Sequence, residues 1–404
     1  MKMPRKVQRA AVGFLVLLSL LLWGQIGSAT EEINIERDVP VSQGTGATPN
    51  AIARVPGVGY VVAGSAAQAW AAGLSSDGQV LWEYFENGKP PNPNLRSGAS
   101  GILGIMPLRD GTILFCGHTD RGPRTGRFAL LLHLDAKGQV LDRQELSPSG
   151  QPGDRGGDIA RCVPWGDGYA IFGSFNSGVR AFEQWLTKLD ADGHVLWQKA
   201  GGGDSPGRWE DAVEVADGGL VLVTRTVEGS QVVRVSKNGE VVAKRSFNGY
   251  GDYKFLRSLE PSATVVLSFF DLQRRSTFFA LDKNLQDVEL FISGRTVFIK
   301  QGIHLKGDST LPVLLVGSIT RGGTGSMLIS AVELIVRNGI KPSTHVFEPL
   351  FDERRLLESS SQIEDVTPSE TPGVFVLVRD FSALRPPVIG SGTRVTWVRL
   401  TVTK

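Results

Sequence analysis

The stretch that most limits what this chain can fold into is residues 182–197, running from Phe182 through Trp185 and Asp190-Ala191-Asp192-Gly193 to Trp197. It reads as strand, tight turn, strand, with the Asp-Gly pair that suits the positive φ angles of a type I′ hairpin. Weakened copies recur along the chain. They lie at Leu74 to Trp82 around Asp77-Gly78, at Leu134 to Leu141 around Lys137-Gly138, and at Val235 to Val242 around Asn238-Gly239. Degraded copies stand at Leu281-Asp282-Lys283-Asn284 and Val336-Arg337-Asn338-Gly339.

A second pattern precedes each hairpin. It is a short run, apolar on both faces, that often begins at glycine and ends in a small residue. Seven copies occur, at residues 59–64, 111–117, 168–173, 219–223, 264–268, 312–317 and 373–378. Runs of this kind suit strands buried between neighbouring sheets. A four-stranded unit of about 50 residues cannot bury both of its faces alone, and a radial array lets each sheet cover the next. The expected fold is all-β: one seven-bladed β-propeller of four-stranded blades, spanning residues 30–404. The seventh unit runs out of chain after the strand Val395 to Leu400. The alternating segment Ile33 to Val41 stands before the first unit, and is expected to supply the missing strand, because an open ring would leave an unpaired edge.

Tyr60 to Ser65 (Gly-Tyr-Val-Val-Ala-Gly-Ser with Gly59), Trp185 to Lys199 (Trp-Leu-x-Lys-Leu-Asp-x-x-Gly-x-x-Leu-Trp-x-Lys) and Gly201 to Asp204 together resemble the repeat of secreted bacterial β-propellers. The third unit and the start of the fourth carry the likeness best. It implies a propeller and an exported protein. That family is functionally mixed, so it assigns no catalytic residue.

The N-terminus reads as a signal peptide over residues 1–29. Lys2, Arg5, Lys6 and Arg9 precede an apolar run from Ala10 to about Trp23, and Gly27-Ser28-Ala29 offers the small residues of a cleavage site. The run is short for a spanning helix, and no second run of about twenty apolar residues follows. A periplasmic or secreted location is therefore expected, with no membrane span after cleavage. Without those four cations, 39 of the 43 basic side chains face 41 acidic ones, which gives no global charge for nucleic acid. Cys116 and Cys162 would meet an oxidising compartment, where a disulfide can form. The other reading, favoured by the apolar runs around them, is two small buried strand residues.

Motifs for chemistry are few. No nucleophile elbow, metalloprotease helix, phosphate loop or dinucleotide fingerprint is present. Cofactors and metals are not expected. His118, His133, His194, His304 and His345 are scattered. Cys116-Gly117-His118 is a weak nucleophile candidate. Asp190 to Gly193 imitates the start of a calcium loop without its distal carboxylate. Trp82 and Trp197 read as packing residues of the last strand of their units.

What remains is a pattern across loops. The connections between second and third strands are rich in arginine: Arg121, Arg124, Arg127, Arg180, Arg225, Arg274, Arg275, Arg321, Arg385 and Arg394. Connections between units add Trp209, Tyr250, Tyr253, Arg354 and Arg355. Arginine and aromatic residues favour protein contacts, and arginine pairs bidentately with carboxylates and phosphates. The expected function is non-enzymatic binding of a protein or anionic partner in the cell envelope or outside, of scaffold or inhibitor type. The competing expectation is a hydrolase or lyase with Asp158, Asp211 and Asp365 at the mouth of a central channel.

Overall fold

The computed structural model describes residues 30–43, 47–88, 100–120, 127–146, 157–175, 183–201, 207–226, 228–248, 253–259, 264–270, 276–292, 297–304, 313–321, 327–338, 341–347, 359–383 and 390–403. They form strands only, gathered in four-stranded antiparallel sheets. The first sheet holds β2 (Thr48–Val55), β3 (Gly59–Ser65), β4 (Ala69–Leu74) and β5 (Val80–Phe85). The second holds β6 (Gly101–Pro107), β7 (Ile113–Asp120), β8 (Arg127–Leu134) and β9 (Val140–Leu146). The third holds β10 (Gly157–Trp165), β11 (Gly168–Phe175), β12 (Glu183–Leu189) and β13 (Val195–Ala200). The fourth holds β14 (Gly207–Glu214), β15 (Leu220–Thr226), β16 (Gly229–Val235) and β17 (Val241–Asn248).

A fifth sheet comprises β18 (Tyr253–Leu259), β19 (Thr264–Phe270), β20 (Ser276–Leu281) and β21 (Asp287–Ile292). A sixth comprises β22 (Val297–His304), β23 (Val313–Arg321), β24 (Met327–Asn338) and β25 (Lys341–Phe347). The remaining one runs β26 (Ser359–Pro368), β27 (Val374–Ala383), β28 (Gly390–Thr403) and then β1 (Thr30–Gln43). β1 pairs antiparallel with β28, from Thr30 opposite Thr403 to Gln43 opposite Gly392.

Each repeated apolar run is the second strand of its sheet. Val61, Val62 and Ala63 of β3, and Val221, Leu222 and Val223 of β15, are at most 1% exposed. Such strands bury both faces because the core lies in layers between sheets. Ile52, Val62 and Trp70 of the first sheet share one cluster with Val376, Val378 and Val395 of the last. Ala63 and Ala71 meet Phe115 and Leu132 of the second sheet. Phe172 and Leu186 of the third meet Leu222 and Val233 of the fourth. The first strands of the sheets also pack in sequence, β2 on β6, β6 on β10 and onward to β22 on β26, and β26 returns to β2.

Every one of these first strands carries a register slip, at Asn50, Leu103, Ala160, Glu210, Lys254, Lys300 and Glu364. A bulge bends and twists a strand, which suits strands that line an axis.

The hairpin turns correct one expectation. The Gly193 N–H donates to the Asp190 carbonyl at 3.2 Å, and the Asp190 N–H to the His194 carbonyl at 2.9 Å. Only Gly193 takes a positive φ, +86°. This is a type I turn followed by a left-handed glycine, not a type I′ turn. The decisive carboxylate is Asp190, the first residue of the turn. Its Oδ1 accepts from the N–H groups of Asp192 at 2.9 Å and His194 at 2.8 Å. Asp135 and Asp282 make the same pair of bonds in their turns. Ser236 makes them through its hydroxyl. A side chain that mimics a turn carbonyl in this way organises the backbone locally.

The turns also fit the neighbouring sheet. A Cβ on Gly138 would lie 2.6 Å from the Trp82 ring, and one on Gly239 2.4 Å from the Trp197 ring. Trp82 Nε1 further donates to the Ala136 carbonyl at 3.0 Å. In the fifth sheet the left-handed position is Leu285, at φ +63°. There the preceding sheet presents Ala243 where others present tryptophan, and Leu285 fills that space with Phe247 and Phe279. A large side chain on one sheet thus faces a small one on the next.

Candidate functional site

The innermost strands enclose a cavity of about 350 Å³. Its wall combines apolar groups such as Ile52, Ile105 and Val213 with Arg161, Glu214 and Asp365. Two of the three acids expected at a channel mouth can be placed. Asp365 is 8% exposed and Asp211 3%. Asp365 accepts from its neighbour's N–H, Val366, at 2.9 Å and, across the seam, from the Ile52 N–H at 2.9 Å. Asp211 accepts from the Ala212 N–H at 2.9 Å and from Arg161 Nη1 at 3.3 Å. Both carboxylates therefore tie one sheet to itself and to a neighbour. Asp158 lies in β10, but its side chain is outside the described residues.

Cys116 of β7 and Cys162 of β10 are joined by a disulfide, with Cα atoms 6.4 Å apart. Both are also buried, so the two readings of these cysteines were not exclusive. The bond crosses the seam between the second and third sheets. Gly104 makes room for it, since a Cβ there would lie 2.3 Å from the Cys162 sulfur and 2.9 Å from that of Cys116. With Cys116 bonded, the nucleophile candidate beside His118 is gone.

At the seam between β1 and the rest of its sheet, the Asp38 carboxylate is the hub. Arg379 Nη2 and Arg394 Nε each reach it at 2.8 Å, and Thr396 Oγ1 at 2.7 Å. Arg394, expected on the binding loops, is thus a strand residue that holds β1. Farther along, Arg399 pairs with Glu36.

The side chains of Asp190, Asp192 and His194 approach within 4.8 Å of one another. The repetition of Asp190's bonds at Asp135 and Asp282, whose turns have glutamine in place of His194, accounts for that carboxylate without an ion. Burial pushes the Asp190 carboxyl up, but the N–H groups of His194 and Asp192 and the His194 side chain outweigh it and hold it below the ordinary value.

Among the expected binding residues, Trp209, Arg225 and Arg394 have described side chains, and Trp209 is not on the surface. It is 2% exposed and packs with Phe172 and Leu222 between the third and fourth sheets. It is a core residue, consistent with the alternation of β14. Arg127, Tyr253 and Arg321 lie in strands, with side chains outside the described residues, and Arg225 stands exposed in β15. Arg121, Arg124, Arg180, Tyr250, Arg274, Arg275, Arg354, Arg355 and Arg385 lie outside the described residues. The Arg379–Asp38–Arg394 cluster was not foreseen. Its signal was the single Asp within the alternating N-terminal segment.

Comparison with known proteins settles the fold. No family model matches the chain, and no curated protein matches it. Among solved structures, one described as "Structure of Dos1 propeller" is similar over 87% of this chain and 78% of its own, with 12% identity and a TM-score of 0.52. A chain in "Crystal Structure of Mitotic Checkpoint Complex" is similar over 91% and 96%, with 11% identity and a TM-score of 0.52. The fold is a β-propeller. Identity at this level carries the architecture and nothing of the chemistry. No helix among the described residues is long and apolar enough to cross a membrane.

Proposed function

We propose that the chain is an exported, non-enzymatic propeller of seven blades, closed by β1, that binds a protein or anionic partner through its arginine-rich loop end. The observation that carries this reading is where the arginines fall. β7 ends at Asp120 and β8 begins at Arg127, while β19 ends at Phe270 and β20 begins at Ser276. In an antiparallel sheet, these second-to-third connections leave at the end opposite the hairpin turns. Arg121, Arg124, Arg274 and Arg275 all belong to such connections. Export rests on the signal-like residues 1–29. Closure rests on the pairing of β1 with β28 and the return of β26 to β2.

The competing reading, a hydrolase or lyase in the channel, draws on the cavity beside Asp365 and Glu214. It is weakened because Asp211 and Asp365 already serve backbone N–H groups and Arg161. The test is replacement of Arg121, Arg124, Arg274 and Arg275 by glutamate, followed by affinity capture from the source cell's envelope fraction. A partner held by the native protein is expected to be lost. An unchanged set of bound proteins would remove the loop end from consideration.

A further inference from the structure

The exposed large hydrophobic side chains among the described residues share one position. Apart from Ile35 of β1, they all stand at the start of the outermost strand of a sheet, immediately after the hairpin turn. Leu81, Leu141, Leu196 and Val242 are 53, 54, 56 and 54% exposed, and each follows an exposed valine. Each of the four is the residue skipped by the pairing of third and fourth strands. The slip turns it outward. Single exposed leucines need no explanation, but the same register position in four successive sheets does.

Geometry alone does not demand aliphatic residues there. Glu36 holds the corresponding place in β1, skipped between Ile35 and Arg37. The turn ends of neighbouring sheets also touch. Trp82 bonds to the next sheet's turn at Ala136, and Trp197 lies against the next hairpin-turn glycine in sequence, Gly239, which is that of the adjacent sheet. With packed sheets about 10 Å apart, the four residues trace an arc of roughly 30 Å. Residues 75–79, 135–139, 190–194 and 236–240, the turns of these four sheets, contain five carboxylates against Lys137, Lys237 and Lys199, whose Nζ reaches the Asn238 carbonyl.

We propose that the turn end of the first four sheets is a docking surface for a protein segment that presents aliphatic side chains interspersed with lysine and arginine. Contiguous apolar positions rimmed by charge mark contact surfaces. The acidic excess fixes the sign of the partner, and repels both an anionic lipid surface and the same face of a second copy. This surface lies at the opposite end of the sheets from the arginine-rich connections and is independent of them.

The test uses the full chain and two synthetic amphipathic peptides, one alternating leucine with lysine and the other leucine with glutamate. The variant Leu81→Ser/Leu141→Ser/Leu196→Ser/Val242→Ser is expected to keep the native Tm, since exposed substitutions cost little. The lysine peptide should bind the native chain in a salt-sensitive manner and bind the serine variant at least about tenfold more weakly. The glutamate peptide should bind neither, and replacement of all four residues by methionine should preserve binding. Equal binding to both proteins, equal binding of both peptides, or no binding would overturn the proposal. So would association with phosphatidylglycerol vesicles, or a concentration-dependent dimer, that the serine variant loses. The Arg121/Arg124/Arg274/Arg275 variant should bind the lysine peptide normally, which separates this surface from the loop end.

Discussion

Two seams of this propeller are fastened by different chemistry. Between the second and third sheets, a covalent bond joins Cys116 and Cys162, 46 residues apart. Between β1 and β28, the fastening is ionic. Asp38 gathers Arg379, Arg394 and Thr396 from residues more than 340 positions away. Loop-closure entropy grows only logarithmically, so joining ends about 340 rather than 46 residues apart costs roughly 1.8 kcal/mol more. That extra cost is small beside the strand pairing gained. The difference teaches that the long-range pairing of β1 with β28 needs no covalent bond, provided that a whole strand and its charges engage at once. The short seam next to the cavity has Gly104 where a packing side chain would sit, and a disulfide occupies the space instead.

The largest effect should come from removing the ionic seam altogether. Deletion of residues 30–41 takes away most of β1 and leaves Arg379 and Arg394 without Asp38. A large fall in Tm, with loss of a single cooperative transition, is expected in calorimetry. An unchanged Tm would show that β1 is dispensable. Next comes Asp38→Ala. It takes the Asp38 carboxylate away from the buried Arg379, 6% exposed at its side chain, and losing one partner of a buried pair costs about 3–5 kcal/mol. Urea unfolding measures this, and a loss below about 1 kcal/mol, the ceiling for an exposed pair, would mean that the seam rests on strand pairing alone.

The covalent seam should respond less. Cys116→Ser/Cys162→Ser, or reduction of the native chain, is expected to cost about 2–4 kcal/mol. Because the loss acts on one seam, hydrogen exchange should quicken in β6, β7 and β10 before β27 and β28. A uniform increase across the molecule would contradict a local staple.

The smallest effect concerns the turns. Asp190→Ala should cost about 1 kcal/mol, since charged hydrogen bonds at a partly exposed site are screened. The folded carboxyl is held below its ordinary 3.8. Its contribution is therefore full above the unfolded value and is lost as pH falls through the lower folded value. Native and variant stabilities should converge at acid pH. A difference that stays constant down to the acid limit would assign the effect to packing.

Much of this architecture was legible along the chain. The runs around Val61-Val62 and Leu222-Val223 announced strands buried on both faces, and the turn glycines set the repeat. The alternation of Ile33 to Val41 pointed to a strand without an adjacent partner, which is β1. The turn itself was read through the wrong residue. Asp192-Gly193 looks like the turning pair, whereas Asp190 makes the bonds and Gly193 alone takes the left-handed conformation. Trp209 looked like a contact residue because it sits next to charged neighbours. Alternation across β14 places it in the core, while Arg208 and Glu210 stand exposed on either side.

The sequence by itself determined the strand content, the four-stranded unit and its recurrence. Periodicity and turn chemistry are local properties, written within a few residues. Only the tertiary structure decided which distant groups meet. Cys116 reaches Cys162 across a glycine in a third strand, Asp38 meets Arg379 and Arg394 from the far end of the chain, and Leu285 replaces glycine where Ala243 leaves space. Each depends on the distance between sheets and on the size of the facing side chain, quantities that exist only once the sheets have packed.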